Sequence, residues 1–162
     1  RFCPRSDGMF NIGSLSYHIG EEDRHHGYYA VGYALGSSPS ETSADKTFNY
    51  ALWTLIEQPL LHVGESHLGA MWQGGTSPAS RSTCRHYWGA GLIWSNIPPQ
   101  MTQVGLVVNR ALYADGRETD VELTGSFPVC NHFTLQPAVH CINTNGNYTA
   151  AAQLRAILEF GN

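Results

Sequence analysis

Two carboxylates alternate with apolar residues in one stretch of the chain. Asp120 and Glu122 occupy even positions, and Val121 and Leu123 occupy the odd positions beside them. Because alternate residues of a β-strand point to the same face, a strand here would place both carboxyl groups together. Paired carboxylates can serve general acid–base catalysis, including glycoside hydrolysis. Nothing in the sequence separates an acid from a base, so we assign no catalytic residue and keep a small glycoside hydrolase as an alternative.

Other reactive residue types carry weaker signals. Ser66 lies in Gly64–Gly69, which misses the nucleophile-elbow pattern by one residue and has no strand–turn–helix context. His25 and His26 are adjacent in an acidic segment, and adjacent side chains of a strand point in opposite directions. We therefore predict a solvated loop for this pair, and we predict neither a metal site nor a cofactor.

The cysteines leave the redox compartment open. The chain has no Cys-X-X-Cys pair, which argues against a zinc ribbon and a thioredoxin motif. In an oxidising compartment, one or two disulfide bonds could join the four cysteines Cys3, Cys84, Cys130 and Cys141. Free thiols are the alternative.

Length, charge and hydropathy exclude several classes of protein. The chain has 162 residues and a formal net charge of −4, which argues against a general nucleic-acid binder. No apolar run approaches the roughly 18 residues of a membrane-spanning helix. A membrane β-barrel stays open, because the alternating side chains of its strands average to a polar hydropathy.

Period-two alternation recurs along the whole chain and predicts about nine strands. The segments are Met9–Ile19, Gly27–Gly36, Phe48–Glu57, Ser66–Gln73, Tyr87–Trp94, Gln103–Ala111, Thr119–Val129, Phe133–Ile142 and Ala150–Phe160. Only the last could compete as a helix, because it is rich in helix-forming residues. Turns are expected at Pro128–Asn131 and at the Gly/Asn segment Asn143–Asn147. We predict an all-β fold of antiparallel hairpins.

Periodicity alone does not decide which face of these strands is buried. A soluble barrel points its apolar face inward, whereas an outer-membrane barrel points that face at lipid. Several aromatic residues lie near segment ends, which is typical of an interfacial girdle but also of strands in general. They include Tyr28, Tyr50, Tyr87, Trp94 and Phe133.

Several stretches together resemble the C-terminal half of the carbohydrate-selective porins, the OprB family of bacterial outer membranes. The resemblance extends from about Asp7 onward and is carried by Phe48–Leu60, His67–Gln73, Tyr87–Leu92, Gln103–Val108, Glu118–Leu123, Phe133–His140 and Ala150–Phe160. It implies an antiparallel up-and-down β-barrel of outer-membrane type, with about 8–10 strands in this chain. Residues 1–162 would then form a single β-barrel domain or part of a barrel.

The resemblance also implies a function. The polar strand faces would line a channel for the passive diffusion of small sugars, without a cofactor and without enzymatic activity. The channel-lining or ligand-binding candidates are Trp53, Glu57, Tyr87, Asp120, Glu122, Gln136, His140, Gln153 and Arg155. Trp53 and Tyr87 are candidates for stacking on sugar rings. Outer-membrane lipid and the barrel-assembly machinery are the other expected partners.

The length conflicts with this function if the chain closes a barrel alone. A barrel of about eight strands is filled by its own side chains, whereas water-filled porins have about sixteen strands. The chain would then be part of a longer porin, share a barrel in a homo-oligomer, or form a small closed barrel. A soluble secreted β-barrel or sandwich that binds a sugar or lipid is the main alternative.

Overall fold

The computed structural model describes residues 9–20, 27–38, 47–77, 83–98 and 101–159. These ranges form nine β-strands and contain no helix, which confirms the predicted all-β class. The strands are β1 (Met9–Ile19), β2 (Gly27–Ser38), β3 (Thr47–Val63), β4 (Ser66–Thr76), β5 (Cys84–Ile97), β6 (Met101–Tyr113), β7 (Arg117–Cys130), β8 (Phe133–Thr144) and β9 (Asn147–Leu158). Each of the nine alternating segments matches one strand, and the last is a strand rather than a helix. Within the same ranges, nothing helical is long and apolar enough to cross a membrane.

All nine strands belong to one antiparallel up-and-down sheet. Each strand pairs with its neighbours in sequence, in the order β1 to β9. In the described ranges β1 and β9 do not pair with each other, so the sheet is open and the predicted closure into a barrel is not observed. Hairpins between sequence neighbours account for the order of the strands, whereas closure requires contacts between the two ends of the series. Among the described residues, one side of β1 and one side of β9 therefore have no strand partner.

The β8–β9 hairpin has a tight Asn-Gly turn. Asn145 and Gly146 have positive φ angles of 54° and 96°, as a two-residue type I′ turn requires at both central positions. The Gly/Asn loop expected over residues 143–147 is accordingly shorter than predicted, because the remaining residues belong to the two strands.

The turn predicted at Pro128–Asn131 begins later than expected. Strand β7 continues through Pro128 to Cys130, and the turn itself consists of Asn131 and His132. The β7–β8 register shifts between Pro128 and Cys130. A second shift follows Pro59 in the β3–β4 pair. Proline lacks a backbone N–H group, and strands commonly accommodate it at such bulges.

The two faces of the sheet differ in character. The apolar face carries at least one large apolar side chain from every strand, and those named here have exposed fractions between 39% and 74%. They are Leu15, Val31, Leu52, Trp72, Leu92, Leu106, Leu123, Val139 and Leu154. The opposite side, here called the polar face, carries Asp120, Glu122 and their register partners.

The described sheet has no hydrophobic core. Ala30 and Ala138 are the buried hydrophobic residues of the described ranges, and both lie on the polar face. No large side chain in those ranges is fully buried. In the described ranges, no second layer packs against the exposed apolar face of this sheet.

Candidate functional site

The strand register places all nine predicted channel-lining residues on the polar face. One row across the sheet shows this directly, because it runs from Glu57 on β3 through β4, β5 and β6 to Glu122 on β7 and His140 on β8. Another row joins Trp53 on β3 to Tyr87 on β5 through Gly75. Asp120, Gln136, Gln153 and Arg155 lie on the same side of the sheet. Directly paired residues of an antiparallel sheet share a face, so the alternation in the sequence predicted this side correctly.

Three of the predicted residues form a compact cluster, here called the acid–histidine cluster. His140 Nδ1 lies 3.0 Å from Asp120 Oδ2, and the side chains are 17% and 22% exposed. Glu122 is the direct register partner of His140. One potential ligand atom from each of Asp120, Glu122 and His140 lies within 4.8 Å of the other two. The cluster therefore joins two acids and one imidazole at a half-buried position of the polar face.

The local sequence explains why these side chains meet. Asp120 and Glu122 are separated by one residue of β7, so their side chains project from the same face. The β7–β8 register sets Glu122 opposite His140 and Asp120 opposite Ile142. Asp120 therefore reaches His140 along a diagonal of the ladder, which long side chains span.

Tyr87 belongs to a second polar group, here called the tyrosine network. Its hydroxyl accepts a hydrogen bond from Gln73 Nε2 at 2.5 Å and donates one to Asn109 Oδ1 at 2.7 Å. Gln73 and Asn109 flank Gly89, which pairs with both residues. A Cβ atom at Gly89 would lie 3.0 Å from Gln73 Nε2, so the absence of a side chain at Gly89 leaves room for the network.

Gln73 and Asn109 were not among the predicted site residues. The alternation of β4 does place Gln73 on the polar side, but no sequence feature marked its contact with Tyr87. This contact depends on the pairing of β4 with β5, and the whole network also requires the pairing of β5 with β6, which the pattern of a single strand does not specify.

Trp53 has a different environment from Tyr87. Its half-buried indole lies over Gly32 of β2, where any Cβ atom would overlap the ring. Gly32 is also its register partner. The indole therefore lies on the polar face of the sheet. An aromatic ring in this position can stack on the apolar side of a ligand.

The remaining predicted residues share the face without joining either group. Glu57 is exposed, and three strands separate it from the acid–histidine cluster. Gln136 and Arg155 are register partners, and Gln153 pairs with Ala138. On the β9 edge, Gln153 and Arg155 are both exposed.

The weaker sequence signals concern Ser66, the cysteines and the adjacent histidines, some of which lie within the described residues. Ser66 is 9% exposed, and its hydroxyl donates to the Asn96 carbonyl oxygen at 2.8 Å, which is a structural hydrogen bond. Cys130 and Cys141 are free thiols. His25, His26 and Cys3 lie outside the described residues.

Comparisons with known proteins supply no relative. No family model, curated protein or solved structure matches this chain.

Proposed function

We propose that this chain forms part of the wall of an outer-membrane β-barrel in bacteria, through which small carbohydrates diffuse passively. The observation that carries the proposal is the exposed apolar face, which continues across nine consecutive antiparallel strands. Outer-membrane barrels have this arrangement, since apolar side chains face lipid and polar side chains face the lumen.

The dimensions of the apolar face support contact with lipid. On β6, the apolar face runs from Thr102 through Val104, Leu106 and Val108 to Arg110. The two polar ends are eight residues apart, which corresponds to about 27 Å along a strand. A tilt of about 40° reduces this to roughly 20 Å, close to the apolar band of about 25 Å in outer-membrane barrels. Thr102 and Arg110 would then lie near the two interfaces.

The lengths of the strands agree with this arrangement. The nine strands contain 11 to 17 residues. A tilted strand needs about 9–11 residues to cross the hydrocarbon region. Each strand is therefore long enough to cross, and the longer strands, such as β3 with 17 residues, also extend beyond the membrane surface.

The chemistry of the polar face suits neutral sugars. The tyrosine network offers hydroxyl and amide groups that can exchange hydrogen bonds with sugar hydroxyls. The Trp53 indole offers an aromatic surface, and the polar face carries Arg155 as well as carboxylates, so its charged groups are not all of one sign. Such a surface recognises polyols through many weak contacts.

A sugar-sized lumen needs more strands than the nine described. Barrels of about eight strands are filled by side chains, whereas diffusion porins have about 16. We therefore propose that further strands pair with the open edges of β1 and β9 and complete the wall. They would come from additional sequence of the same protein or from a second copy.

Reconstitution of the full chain tests the proposal. The measurements are extraction with and without detergent, gel migration before and after heating, and flux of neutral sugars of graded size into liposomes. Support would be detergent-dependent extraction, heat-modifiable migration and a flux that falls with sugar size. Full solubility without detergent, or a folded barrel with no flux above that of protein-free liposomes, would reject it.

A further inference from the structure

The acid–histidine cluster has the composition of a cation site. We propose that Asp120, Glu122 and His140 bind one divalent transition-metal ion of the Zn²⁺ type on the polar face of the sheet. The proposal depends on the β7–β8 pairing and the described side chains, and it does not require the chain to form a channel.

The distances suit a metal ion. The three potential ligand atoms lie within 4.8 Å of one another. Zn–N and Zn–O bonds of about 2.0–2.2 Å in tetrahedral geometry separate two ligand atoms of one ion by about 3.3–3.6 Å. Side-chain adjustments of less than about 1 Å therefore complete the set, and all three groups are already on adjacent strands.

A buried oxygen points independently to a cation. Asp120 Oδ2 contacts His140, but Asp120 Oδ1 is buried and has no hydrogen-bond partner. A carboxylate oxygen that is shielded from water and has no donor is unfavourable, so buried carboxylates are normally paired or bound to metal. A metal ion would satisfy Asp120 Oδ1.

The surrounding charges leave the two acids without a basic partner. In the described ranges, no lysine or arginine forms an ion pair with Asp120 or Glu122, and the ionic contact of Asp120 is with His140. Arg155, on the same face, is the register partner of Gln136 rather than of a cluster residue. Arg110 projects from the apolar face instead. A divalent ion would balance both carboxylates.

The ligand types select the class of ion. Imidazole suits Zn²⁺ and its transition-metal neighbours, whereas Ca²⁺ and Mg²⁺ prefer oxygen ligands alone. Three protein ligands leave at least one coordination position for water or another small molecule. Because the cluster is only half-buried, that position is accessible from the polar face.

Zn²⁺ titration of the folded chain tests this site. The His25→Ala/His26→Ala double variant is the background, so that the adjacent histidines contribute nothing. We expect one tight equivalent of Zn²⁺, which Mg²⁺ does not displace. Glu122→Gln and His140→Ala should lower the affinity for this Zn²⁺ ion by at least about 10- to 100-fold. Loss of even an outer-shell partner of a metal ligand has an effect of this size.

Glu118→Gln is the matched control. Glu118 also lies on the polar face of β7, but it accepts a hydrogen bond from Thr144 and is not part of the cluster. It should leave the tight equivalent unchanged. An equal loss in Glu118→Gln, equal competition by Mg²⁺, or no tight equivalent would overturn the proposal.

X-ray absorption at the zinc edge keeps the proposal testable if the variants fail to fold. With one equivalent of Zn²⁺ bound to the background chain, we expect nitrogen and oxygen neighbours with the multiple scattering of one imidazole. Two or more imidazoles, or a sulfur neighbour, would place the ion elsewhere and overturn the assignment.

Discussion

His140 Nδ1 lies 3.0 Å from Asp120 Oδ2, although the two residues are diagonal rather than direct partners in the β7–β8 ladder. The direct partner of His140 is Glu122, so both carboxylates share a face with the imidazole, and one ligand atom of each side chain lies within 4.8 Å of the others. This relationship places two acids and an imidazole near the β9 edge of a polar surface whose reverse side is apolar and exposed.

Loss of the diagonal contact should reduce stability. Asp120→Asn keeps the shape of the side chain but removes its charge, so its contact with His140 weakens. Hydrogen bonds to charged groups contribute about 1.5–3 kcal/mol, and partial exposure lowers the expected loss to about 1 kcal/mol. Denaturant unfolding measures this difference, with Gln153→Ala on the exposed edge strand as the control. Equal stability of Asp120→Asn and the unmodified protein would show that the contact contributes nothing.

A side chain at Gly89 should disrupt the tyrosine network. Gly89→Ala places a methyl group against Gln73 and Asn109, and overpacking of this kind costs about 1–3 kcal/mol. Gly36→Ala is the matched control, because its added methyl would meet Phe10 at an ordinary 3.6 Å. The free energies of unfolding of the two variants give the comparison. The explanation fails if both glycines tolerate alanine equally.

Apolar and polar faces should respond differently to a charge. Leu106→Lys introduces a charge on the apolar face of β6, where the cost at a bilayer midplane is about 2–4 kcal/mol. Val107→Lys places the same charge one residue further on, on the polar face. Insertion into lipid vesicles, followed by heat-modifiable migration, should fall sharply for Leu106→Lys and much less for Val107→Lys. Similar insertion of both variants would contradict a lipid-facing apolar side.

Glu122 should influence sugar flux without being required for folding. Glu122→Ala removes one carboxylate from the proposed lumen, and Glu118→Ala removes another from the same strand, two residues from Asp120. With a chelator present to exclude metal effects, we expect Glu122→Ala to change the relative flux of neutral sugars while heat-modifiable migration is retained. If Glu122→Ala abolishes folding instead, Glu122 belongs to a structural network.

The local sequence predicted the strands and their faces well. The alternation in Met9–Ile19 coincides with β1 itself, and in Phe48–Glu57 it covers the N-terminal part of the longer strand β3. Alternation is a property of single strands, so it also placed Glu57 and Gln153 correctly. Strand ends were less predictable, as in β7, where a bulge accommodates Pro128 within the strand.

Contacts between strands required the structure. The hydrogen bond of Gln73 with Tyr87 and the diagonal contact of Asp120 with His140 both depend on register. A register shift of one residue would move either partner to the other face, and no motif in a single strand reports it. Closure of the sheet depends on contacts over a still longer range.

Tryptophan quenching in lipid tests the central claim most directly, which is that the apolar face contacts the bilayer. The four tryptophans divide between the faces, because Trp53 lies on the polar face and Trp72, Trp88 and Trp94 lie on the apolar face. Two variants separate them: Trp53→Phe, and a triple variant with phenylalanine at the other three positions. In vesicles with brominated acyl chains, we expect strong quenching of tryptophan fluorescence in Trp53→Phe and weak quenching in the triple variant. Iodide added to the aqueous phase should quench the two variants in the opposite order. Equal quenching of both variants by the brominated lipid, or quenching of Trp53 alone, would contradict this claim.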